Sequence, residues 1–307
     1  MTAPKAADMT VEQIKQQAMQ TAKDLAVPVF WITDWLLFVI DKPALFLMMD
    51  KDYQLSATEL AQFNAGVTKM QQGIPLAYLT NKQEFWSLDF KVNEHTLIPR
   101  PDTEVLVEQV LHWINTADKE LVPNADTSNK RLLDLGTGSG CIAISLAHEL
   151  KLARKLKQVS WQVVAVDLST EALKVAQHNA VSNGVDVEFV YSTWYEALST
   201  QDEQLFDVIV SNPPYIDEAD EHLAGLLAEP ISALSASNQG LADIEHIIKY
   251  APKYLQEGGL LAIEHGFDQG LVVHQLFIDN NFADVQTIKD FGGNDRVTLG
   301  QFIKYAL

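Results

Sequence analysis

The residues best suited to chemistry form a five-residue stretch, Ser211–Tyr215, directly after an apolar run. Two consecutive prolines donate no backbone hydrogen bonds and restrict the residues before them, so the chain leaves the predicted strand as a stiff, extended loop. The side-chain oxygen of Asn212 and the carbonyl of Pro213 can accept the two protons of a planar NH2 group. Tyr215 can lie flat against that group. This pattern predicts a clamp for an amide or a base amine, with Asn212, Pro213 and Tyr215 catalytic and Pro214 among the substrate contacts.

A glycine-rich loop is the second candidate site. Its three glycines alternate with other residues, and an aspartate stands two positions before the first of them. Glycine lets the backbone come close to a ligand, and this G-x-G-x-G spacing differs from the G-x-G-x-x-G of dinucleotide-binding loops. S-adenosylmethionine has no pyrophosphate to seat there, and the aspartate can hold its ammonium directly or through water. The predicted cofactor contacts in this loop are Asp134, Gly136, Thr137, Gly138, Ser139 and Gly140.

A second acid strengthens the prediction of a cofactor site. Asp167 ends the next predicted strand, 167 − 134 = 33 residues after Asp134, and a carboxylate there can accept both ribose hydroxyls. Ligands of open parallel sheets lie beyond the carboxyl ends of the strands. Asp134, Asp167 and Asn212 all fall on that edge, so Asn212 is also a predicted cofactor contact. Trp194 follows the third strand and can pack near the adenine, although a core position explains this residue nearly as well.

The elements that position these residues begin at Arg131, where short apolar runs alternate with amphipathic helices. This alternation predicts a parallel sheet covered by helices on both faces. Only the short turn Gly292–Asn294 separates the last two strands, so the seventh strand must be antiparallel. The expected class is α/β, with the seven-stranded Rossmann-like sheet of class I S-adenosylmethionine-dependent methyltransferases and a small N-terminal helical domain. The predicted strands are Leu132–Leu135, Val163–Asp167, Val187–Tyr191, Val208–Val210, Leu260–Ile263, Val285–Ile288 and Arg296–Ile303, and the predicted helices are Cys141–Leu150, Glu171–Ser182, Ala242–Leu255 (ending at Gly258 and Gly259) and Gln269–Asn280.

The chain divides into three predicted regions. Residues 1–80 predict a helical bundle, with Thr10 capping a helix that runs through Leu25, and with Ser56 and Glu59 forming a capping box. Residues 81–98 show apolar–polar alternation and predict a β-hairpin linker. Residues 99–307 contain both candidate sites, and the polar stretch Asn115–Lys130 within them predicts a surface linker.

Composition indicates in which compartment the protein works and which classes of partner it binds. Lys and Arg total 22 against 41 Asp and Glu, a formal net charge of −19, which repels a phosphate backbone and argues against nonspecific nucleic-acid binding. A single cysteine, Cys141, allows no intrachain disulfide and predicts a cytoplasmic protein; it is interpreted as a small residue packed behind the glycine loop. No Cys-x-x-Cys or paired-His spacing predicts a metal site. The most apolar region, Val27–Met49, is too interrupted to span a membrane, and no signal peptide is recognised.

These motifs together resemble those of the bacterial protein-glutamine N5-methyltransferases that modify class I peptide chain release factors, the PrmC or HemK family. The resemblance implies a helical N-terminal domain that helps to dock the release factor. It also implies methylation of the glutamine in the Gly-Gly-Gln loop of that factor, with S-adenosylhomocysteine as product. One departure follows His222 and Leu223, where the family usually has a longer segment that contains an arginine. The resemblance rests on Gly73–Tyr78, Glu84–Trp86, Leu97–Glu104, the glycine loop, Asn212–Tyr215, Glu229–Pro230 and Asn294–Val297.

An amide nitrogen is a poor nucleophile, and no Lys, His or Cys near the proline motif is expected to act as a strong base. The predicted mechanism is therefore positioning, in which Asn212 and the Pro213 carbonyl aim the nitrogen at the methyl donor. Three alternatives remain: an adenine-N6 nucleic-acid methyltransferase, a ribosomal-protein glutamine methyltransferase, and a cofactor-binding protein without catalysis. The acidic charge disfavours the first, Arg100–Glu104 disfavour the second, and Asn212 with Tyr215 disfavours the third. His265 is interpreted as a core histidine.

Overall fold

Helices build the first of two units, which spans Met1–Lys82. The computed structural model of the protein describes residues 10–24, 27–120, 129–157, 159–201 and 205–304. Within this unit the apolar sides of the helices enclose a core that includes Ile32, Leu36 and Phe63, all at most 1% exposed. The helices are α1 (Val11–Asp24), α2 (Val29–Ile40), α3 (Phe46–Met49), α4 (Ala57–Gln71) and α5 (Leu76–Thr80).

Local capping begins two of these helices as the sequence predicts. The Ser56 hydroxyl accepts from the Glu59 backbone and the Glu59 carboxylate accepts from the Ser56 backbone, so the predicted capping box is present. Before α1, the Gln13 side chain accepts from the Thr10 backbone and the Thr10 hydroxyl accepts from the Gln13 backbone. Leu25, the expected end of this first helix, lies outside the described residues.

One close contact fixes how α2 packs on α4. The indole of Trp35 donates to the Phe63 carbonyl at 3.0 Å. The same indole lies over Gly66, where a Cβ would come within 2.1 Å of the ring. Only glycine fits at this crossing, although glycine costs about 1 kcal/mol relative to alanine in a helix.

A β-hairpin precedes the large sheet. Its strands are β1 (Lys82–Phe85) and β2 (Leu88–Lys91), joined by Trp86 and Ser87 with φ of 53° and 57°. Positive φ at both central residues is the mark of a type I′ turn, whose twist matches that of paired strands. The buried Asn179 accepts from the Lys91 backbone N–H and donates to the Lys91 carbonyl, which fixes the end of the hairpin.

Seven strands form the central sheet of the second unit, Gln83–Leu307. In spatial order they are β10, β11, β9, β6, β3, β4 and β5. All neighbours pair in parallel except at β11, which is antiparallel to both β9 and β10. The predicted class and the reversed seventh strand are therefore confirmed. The strands are β3 (Lys130–Leu135), β4 (Trp161–Asp167), β5 (Glu188–Tyr191), β6 (Phe206–Ser211), β9 (Leu255–Glu264), β10 (Phe282–Lys289) and β11 (Asp295–Phe302).

Helices cover both faces of this sheet, because successive strand residues point to opposite sides. Along β6, Val208 and Val210 belong to one core, and Ile209 to the other. The first core also takes residues from the hairpin and from the first three helices of this unit, and the second core takes residues from the last two. The helices are α6 (Glu104–Glu120), α7 (Cys141–Lys157), α8 (Thr170–Ser182), α9 (Ala242–Tyr250) and α10 (Gly270–Asp279), with a 3-10 turn at Pro101–Thr103 and a two-strand pair of β7 (Ile216–Asp217) with β8 (Ser235–Ala236).

Two predicted boundaries were wrong. The helix expected over Ala242–Leu255 ends at Tyr250 and continues only as a 3-10 turn, because Pro252 lacks an N–H and disfavours the helical conformation of the residue before it. Strand β9 consequently begins at Leu255, and the glycine pair expected to end the helix lies inside this strand.

The predicted start of the surface linker, Asn115–Lys130, was also wrong. Helix α6 continues through Asn115 to Glu120, so its first residues are helical despite their polarity. Residues 121–128 of this stretch lie outside the described residues. Over the described ranges, no helix is long and apolar enough to cross a membrane.

Candidate active site

The carboxyl ends of three neighbouring strands bring the two candidate sites to one edge of the sheet. Leu135 at the end of β3 pairs with Val166 of β4 and with Ser211 at the end of β6. The Ser211 hydroxyl also donates to the Leu135 carbonyl at 2.7 Å. A cavity of about 470 Å³ opens at this edge, within the range of small-molecule sites.

Part of the predicted site lines this cavity. Six of the predicted residues border it, namely Gly136, Gly138, Asp167, Trp194, Asn212 and Pro214. The other six predicted residues are not among its lining, namely Asp134, Thr137, Ser139, Gly140, Pro213 and Tyr215. The predicted set therefore divides into residues that face the cavity and residues beneath or beside them.

The glycine loop crosses from β3 to α7 in a conformation that needs its glycines. The N–H groups of Gly136 and Thr137 both donate to the Val166 carbonyl, at 3.0 and 2.9 Å. Gly136 has φ +73°, and a Cβ there would lie 3.3 Å from the Trp194 ring. Gly140 has φ +83°, and a Cβ there would meet Ile144 at 2.7 Å. Side chains at these positions would strain the backbone and intrude on neighbouring groups.

Asp134 lies beneath this loop with no exposed surface. Its Oδ2 accepts from the Thr137 hydroxyl at 2.6 Å and from the Ala143 N–H at 3.3 Å. Its Oδ1 is buried without a hydrogen-bond partner among the described residues. Burial raises the pKa of Asp134 to about 7, although the bonds from Thr137 and Ala143 oppose this. In this structure Asp134 holds the loop in shape and does not reach the cavity wall.

Asp167, at the end of β4, binds the glycine loop and also lines the cavity. Its Oδ2 accepts from the Gly138 N–H and its Oδ1 from the Ser169 N–H, both at 2.8 Å. Burial raises the pKa of Asp167, and these backbone hydrogen bonds partly offset the effect. Two carboxylate oxygens provide about four acceptor positions, so both can accept further hydroxyl donors from the cavity.

Trp194 lines the cavity, and its orientation is fixed by an acid that the sequence analysis did not identify. The indole N–H donates to Asp243 at 3.2 Å, and Asp243 itself borders the cavity from the first turn of α9. Burial raises the pKa of Asp243, whereas the bond from Trp194 lowers it. Together the ring and the carboxyl offer a flat apolar surface beside a hydrogen-bond acceptor, which suits a purine with an exocyclic amine.

Two further loop residues serve the structure behind the cavity. The Ser139 carbonyl accepts from the buried Asn179 of α8 at 2.8 Å, so the same amide holds both the hairpin and the glycine loop. Cys141 is 9% exposed. Burial raises the pKa of its thiol to about 12, so the thiol stays protonated at neutral pH, and its side chain packs in the first core of the sheet.

The proline loop presents only some of its groups to the cavity. Asn212 and Pro214 line it, whereas Pro213 is buried. The Asn212 Nδ2 donates to the Thr103 hydroxyl at 3.2 Å, so the opposite, oxygen end of this amide is turned away from Thr103. Tyr215 packs against the second core of the sheet. Its hydroxyl donates to Glu264 at 3.2 Å, so the predicted stacking surface is held from behind.

Glu264, at the end of β9, is a buried carboxyl beneath this loop. The residue is 1% exposed, and the positive charge of Arg296 on β11 acts on its carboxyl. Burial raises the pKa of Glu264 to about 7, and the charge of Asp102 acts in the same direction, whereas Thr103, Arg296 and Tyr215 lower it. Burial and the adjacent Glu264 together raise the pKa of Tyr215, so the phenol remains a donor at neutral pH.

A second buried acid anchors the segment that departs from the family pattern. The Glu229 carboxylate, 2% exposed, forms an ion pair with Arg100 and accepts from the Ile98 N–H at 3.0 Å. The next residue, Pro230, lines the cavity. The segment without the usual arginine is therefore fastened to the strand-like stretch before α6.

Two histidines have contrasting positions. His265 is fully buried, with Nδ1 2.9 Å from the Gly266 carbonyl and Nε2 2.9 Å from the Thr298 hydroxyl. Burial lowers the pKa of His265, so it is a neutral core residue, as interpreted. His95, in contrast, lines the cavity with a side chain that is 45% exposed, and the sequence analysis did not single it out.

Residues missed by sequence reasoning come mainly from distant segments. A local signal existed for Leu97 and Pro230, which line the cavity and lie in recognised motifs. The others carry no pattern that distinguishes them before folding, because their role depends on which loops meet at the sheet edge. They include His95, Ser192, Thr193, Ser232 and Asp243.

The donor set fits S-adenosylmethionine. The cavity combines an acid at a strand end, a ring with an adjoining carboxyl, and a loop whose glycines leave room where a Cβ would approach the ring. No group of three or more His, Cys, Asp or Glu suited to a metal ion occurs within the described ranges. The geometry suits an organic cofactor next to the proline loop.

Two family models match the chain. One, described as "Methyltransferase small domain", matches residues 113–293. The other, described as "PrmC N-terminal domain", matches residues 32–80. The first covers more than half of the chain and includes both the glycine loop and the proline loop.

Curated relatives agree with these matches over most of their length. A release factor glutamine methyltransferase of Shewanella oneidensis is 41% identical, covering 87% of this chain and 87% of the relative. One of Pasteurella multocida is 45% identical, covering 80% and 82%. Among solved structures, the hMettl16 catalytic domain in complex with MAT2A 3'UTR hairpin 1 is 15% identical with a TM-score of 0.52. The match covers 88% of this chain and 91% of that chain and shows a likeness of fold alone.

Proposed function

Because the chain belongs to the release factor glutamine methyltransferase family, we propose that it methylates the glutamine side-chain nitrogen in the Gly-Gly-Gln motif of class I peptide chain release factors. S-adenosylmethionine is the methyl donor, and S-adenosylhomocysteine is the product. The observation that carries this proposal is the amide of Asn212, which lines the cavity while its Nδ2 donates to Thr103. Its oxygen is thereby available to accept a proton from a substrate amide.

The substrate amide is held by two acceptors. The Asn212 oxygen and the Pro213 carbonyl each accept one N–H of the glutamine side chain, and both belong to a loop stiffened by consecutive prolines. When bound, S-adenosylmethionine supplies an electrophilic methyl group on its sulfonium. Holding the nitrogen in line with that group can supply roughly 7–11 kcal/mol of the barrier reduction. Positive charge that develops on nitrogen strengthens both hydrogen bonds, so they favour the transition state over the ground state. After the C–S bond breaks and the N–C bond forms, one N–H proton leaves to water.

The cofactor contacts follow from the residues that face the cavity. Asp167 accepts the ribose hydroxyls, and Trp194 with Asp243 receives the adenine ring and its amine. Gly136 and Gly138 let the loop backbone approach the amino-acid part, and Thr137, Ser139 and Gly140 keep the loop in this conformation. Asp134 acts on the cofactor through the loop, since it has no exposed surface.

The N-terminal helical unit is proposed to contribute to docking of the release factor, and residues 81–98 to link it to the catalytic domain, residues 99–307. The release factor is then the macromolecular partner. No direct nucleic-acid partner is invoked, because the net charge of −19 disfavours one. Since release factors act where ribosomes translate, this function places the enzyme in the cytoplasm.

A methyl-labelled cofactor tests the proposal directly. The enzyme is incubated with an unmodified class I release factor, with the same factor carrying Gln→Ala in its Gly-Gly-Gln motif, and with duplex DNA. Label in the native factor alone is the expected result. Label in the DNA, or equal label in both forms of the factor, would contradict the proposed substrate or the proposed site.

A further inference from the structure

Four side chains lie close together where the proline loop packs on the sheet. Thr103, Asn212, Tyr215 and Glu264, here called the Glu264 cluster, come from three elements: the turn before α6, the loop after β6, and the end of β9. Thr103 is 2% and Glu264 1% exposed. Of the four, only Asn212 lines the cavity.

Glu264 acts on both ends of the proline loop. At the far end, its Oε1 accepts from the Tyr215 hydroxyl at 3.2 Å. At the near end, Thr103 stands between the carboxyl and the Asn212 amide: its hydroxyl accepts from Asn212 at 3.2 Å and lies beside Glu264. This last contact is a close approach rather than an aligned bond, since Oε2 of Glu264 is buried without an aligned partner among the described residues.

The hydroxyl of Thr103 determines which end of the Asn212 amide faces it. A hydroxyl has one proton to donate and two lone pairs that accept. Burial raises the pKa of Glu264 to about 7, and Arg296, Thr103 and Tyr215 oppose this rise. In its ionised form the carboxylate can only accept. Next to an ionised Glu264, the Thr103 proton is best placed toward the carboxylate. The Thr103 oxygen then accepts from the NH2 end of Asn212, which is the bond observed at 3.2 Å.

The orientation of this amide matters because its two ends have nearly the same shape. Without a partner that discriminates between them, the NH2 end would face the cavity for part of the time. If the NH2 end of Asn212 faced the substrate amide, N–H groups would face one another and remain unpaired. This would weaken substrate binding and misplace the nitrogen. A fixed neighbour that accepts from Nδ2 removes this unproductive orientation in advance of substrate binding.

We infer that Thr103 and Glu264 are positioning residues for methyl transfer, which keep the oxygen of Asn212 turned toward the substrate amide and hold Tyr215 from behind. This inference rests on the proposed function, in which the Asn212 oxygen accepts a substrate proton. It extends that function to two buried residues that touch neither the cavity nor the reacting atoms.

The variant that tests it is Thr103→Val, which replaces the hydroxyl by a methyl group of similar size. We expect kcat to fall about 10-fold, the effect of one lost hydrogen bond near 1.4 kcal/mol, while KM for S-adenosylmethionine changes less than about 2-fold. Thr103→Ser restores the hydroxyl and should recover most of the turnover. Thr298→Val is the matched control, because it also removes a buried hydroxyl, one bonded to His265 rather than to the proline loop.

A double-mutant cycle separates positioning from general stability. If Thr103 acts through Asn212, Thr103→Val should reduce kcat no further once Asn212→Ala is present. An equal loss in both backgrounds, or full turnover of Thr103→Val with native Asn212, would overturn the inference. Near wild-type turnover of Asn212→Ala itself would instead overturn the clamp of the proposed function. The two failures are thus distinguishable in one set of four proteins.

Glu264→Gln provides an independent variant in case the threonine change perturbs folding. The amide keeps an oxygen for Tyr215 but can turn an NH2 toward Thr103, which reverses the direction of the hydrogen bond to Asn212. We expect kcat to fall at least about 10-fold with cofactor affinity retained. Unchanged kcat in a folded Glu264→Gln protein would contradict the role of the carboxylate.

Discussion

Asp167 accepts a hydrogen bond of 2.8 Å from the backbone N–H of Gly138, across the gap between the end of β4 and the glycine loop. This contact joins two motifs that stand 29 positions apart in the chain. One carboxylate therefore both orders the loop and faces the cavity. Loss of this side chain should affect the cofactor in two ways, through the missing ribose contact and through a less ordered loop.

Asp167→Ala should weaken binding of S-adenosylhomocysteine by about 10- to 100-fold, since hydrogen bonds to a charged group contribute about 1.5–3 kcal/mol. Isothermal titration calorimetry measures this effect without turnover. Glu188→Ala is a matched control, because this acid begins the neighbouring strand β5 and is not among the residues that line the cavity. Equal affinity of wild type and Asp167→Ala would exclude the ribose role.

Asn212→Ala should reduce turnover by about 100- to 1000-fold, by comparison with the removal of one preorganised polar partner from an active site. The expected loss lies in kcat at saturating cofactor, measured with an unmodified release factor. Asn183→Ala removes an amide from the C-terminus of α8, away from the cavity lining, and should retain turnover. A rate for Asn212→Ala close to that of this control would contradict the clamp.

The stability of the cofactor-free enzyme should depend on the ionisation of Asp134. Burial raises the pKa of Asp134 from 3.8 to about 7 in the folded protein. Between these values the folded state binds a proton that the unfolded state has lost, so the contribution of Asp134 to stability is full below about pH 4 and declines as pH rises through about 7. The loss is on the order of 1 kcal/mol per pKa unit.

Thermal unfolding of wild type and Asp134→Asn between pH 4 and pH 8 tests this sign. The asparagine cannot titrate, so the difference in Tm between the two proteins should shift in favour of the variant as pH rises. Asp186→Asn, which changes an exposed carboxyl, should follow the wild type. A constant difference between wild type and Asp134→Asn would mean that Asp134 stays ionised throughout.

Gly66→Ala should destabilise the helical N-terminal unit. Alanine gains about 1 kcal/mol in helix propensity over glycine, but its Cβ would lie 2.1 Å from the Trp35 indole. Overpacking of this kind typically costs about 1–3 kcal/mol, and the ring is held by its bond to the Phe63 carbonyl. The clash should therefore prevail, and calorimetry should show a lower Tm.

Asn64→Ala is the control for this substitution. It lies in the same helix, α4, and is exposed, so it improves helix propensity without a clash and should leave Tm unchanged or slightly higher. A rise in Tm for Gly66→Ala would show that the indole moves away at little cost.

Much of the fold was predictable because its signals are local. The period of the apolar runs, the short turn before the last strand and the Ser56–Glu59 capping box all act over a few residues, and each is present in the structure. The misplaced end of the helix before β9 followed from giving more weight to a glycine pair than to Pro252. Polarity alone likewise misled the prediction at Asn115, since a polar stretch can continue a helix that is already anchored.

The candidate site was predictable only in part. Its backbone motifs were recognisable from residue types at fixed spacing, since a glycine loop or a double proline constrains the chain wherever it occurs. The placement of Asp134 beneath the loop was not, because two aspartates at strand ends look alike until burial distinguishes them. Asp243 and His95 gave no signal at all, since their importance arises from the cavity they line.

By itself, the sequence determined the class of fold, the glycine loop and the proline loop, because these depend on conformational preferences of nearby residues. Only the tertiary structure decided which groups support them. Thr103 lies 109 positions from Asn212, and Glu264 lies 49 positions from Tyr215. Such contacts exist only once the sheet has brought the ends of β6 and β9 together, and the energy of a buried hydrogen bond depends on that arrangement rather than on separation along the chain.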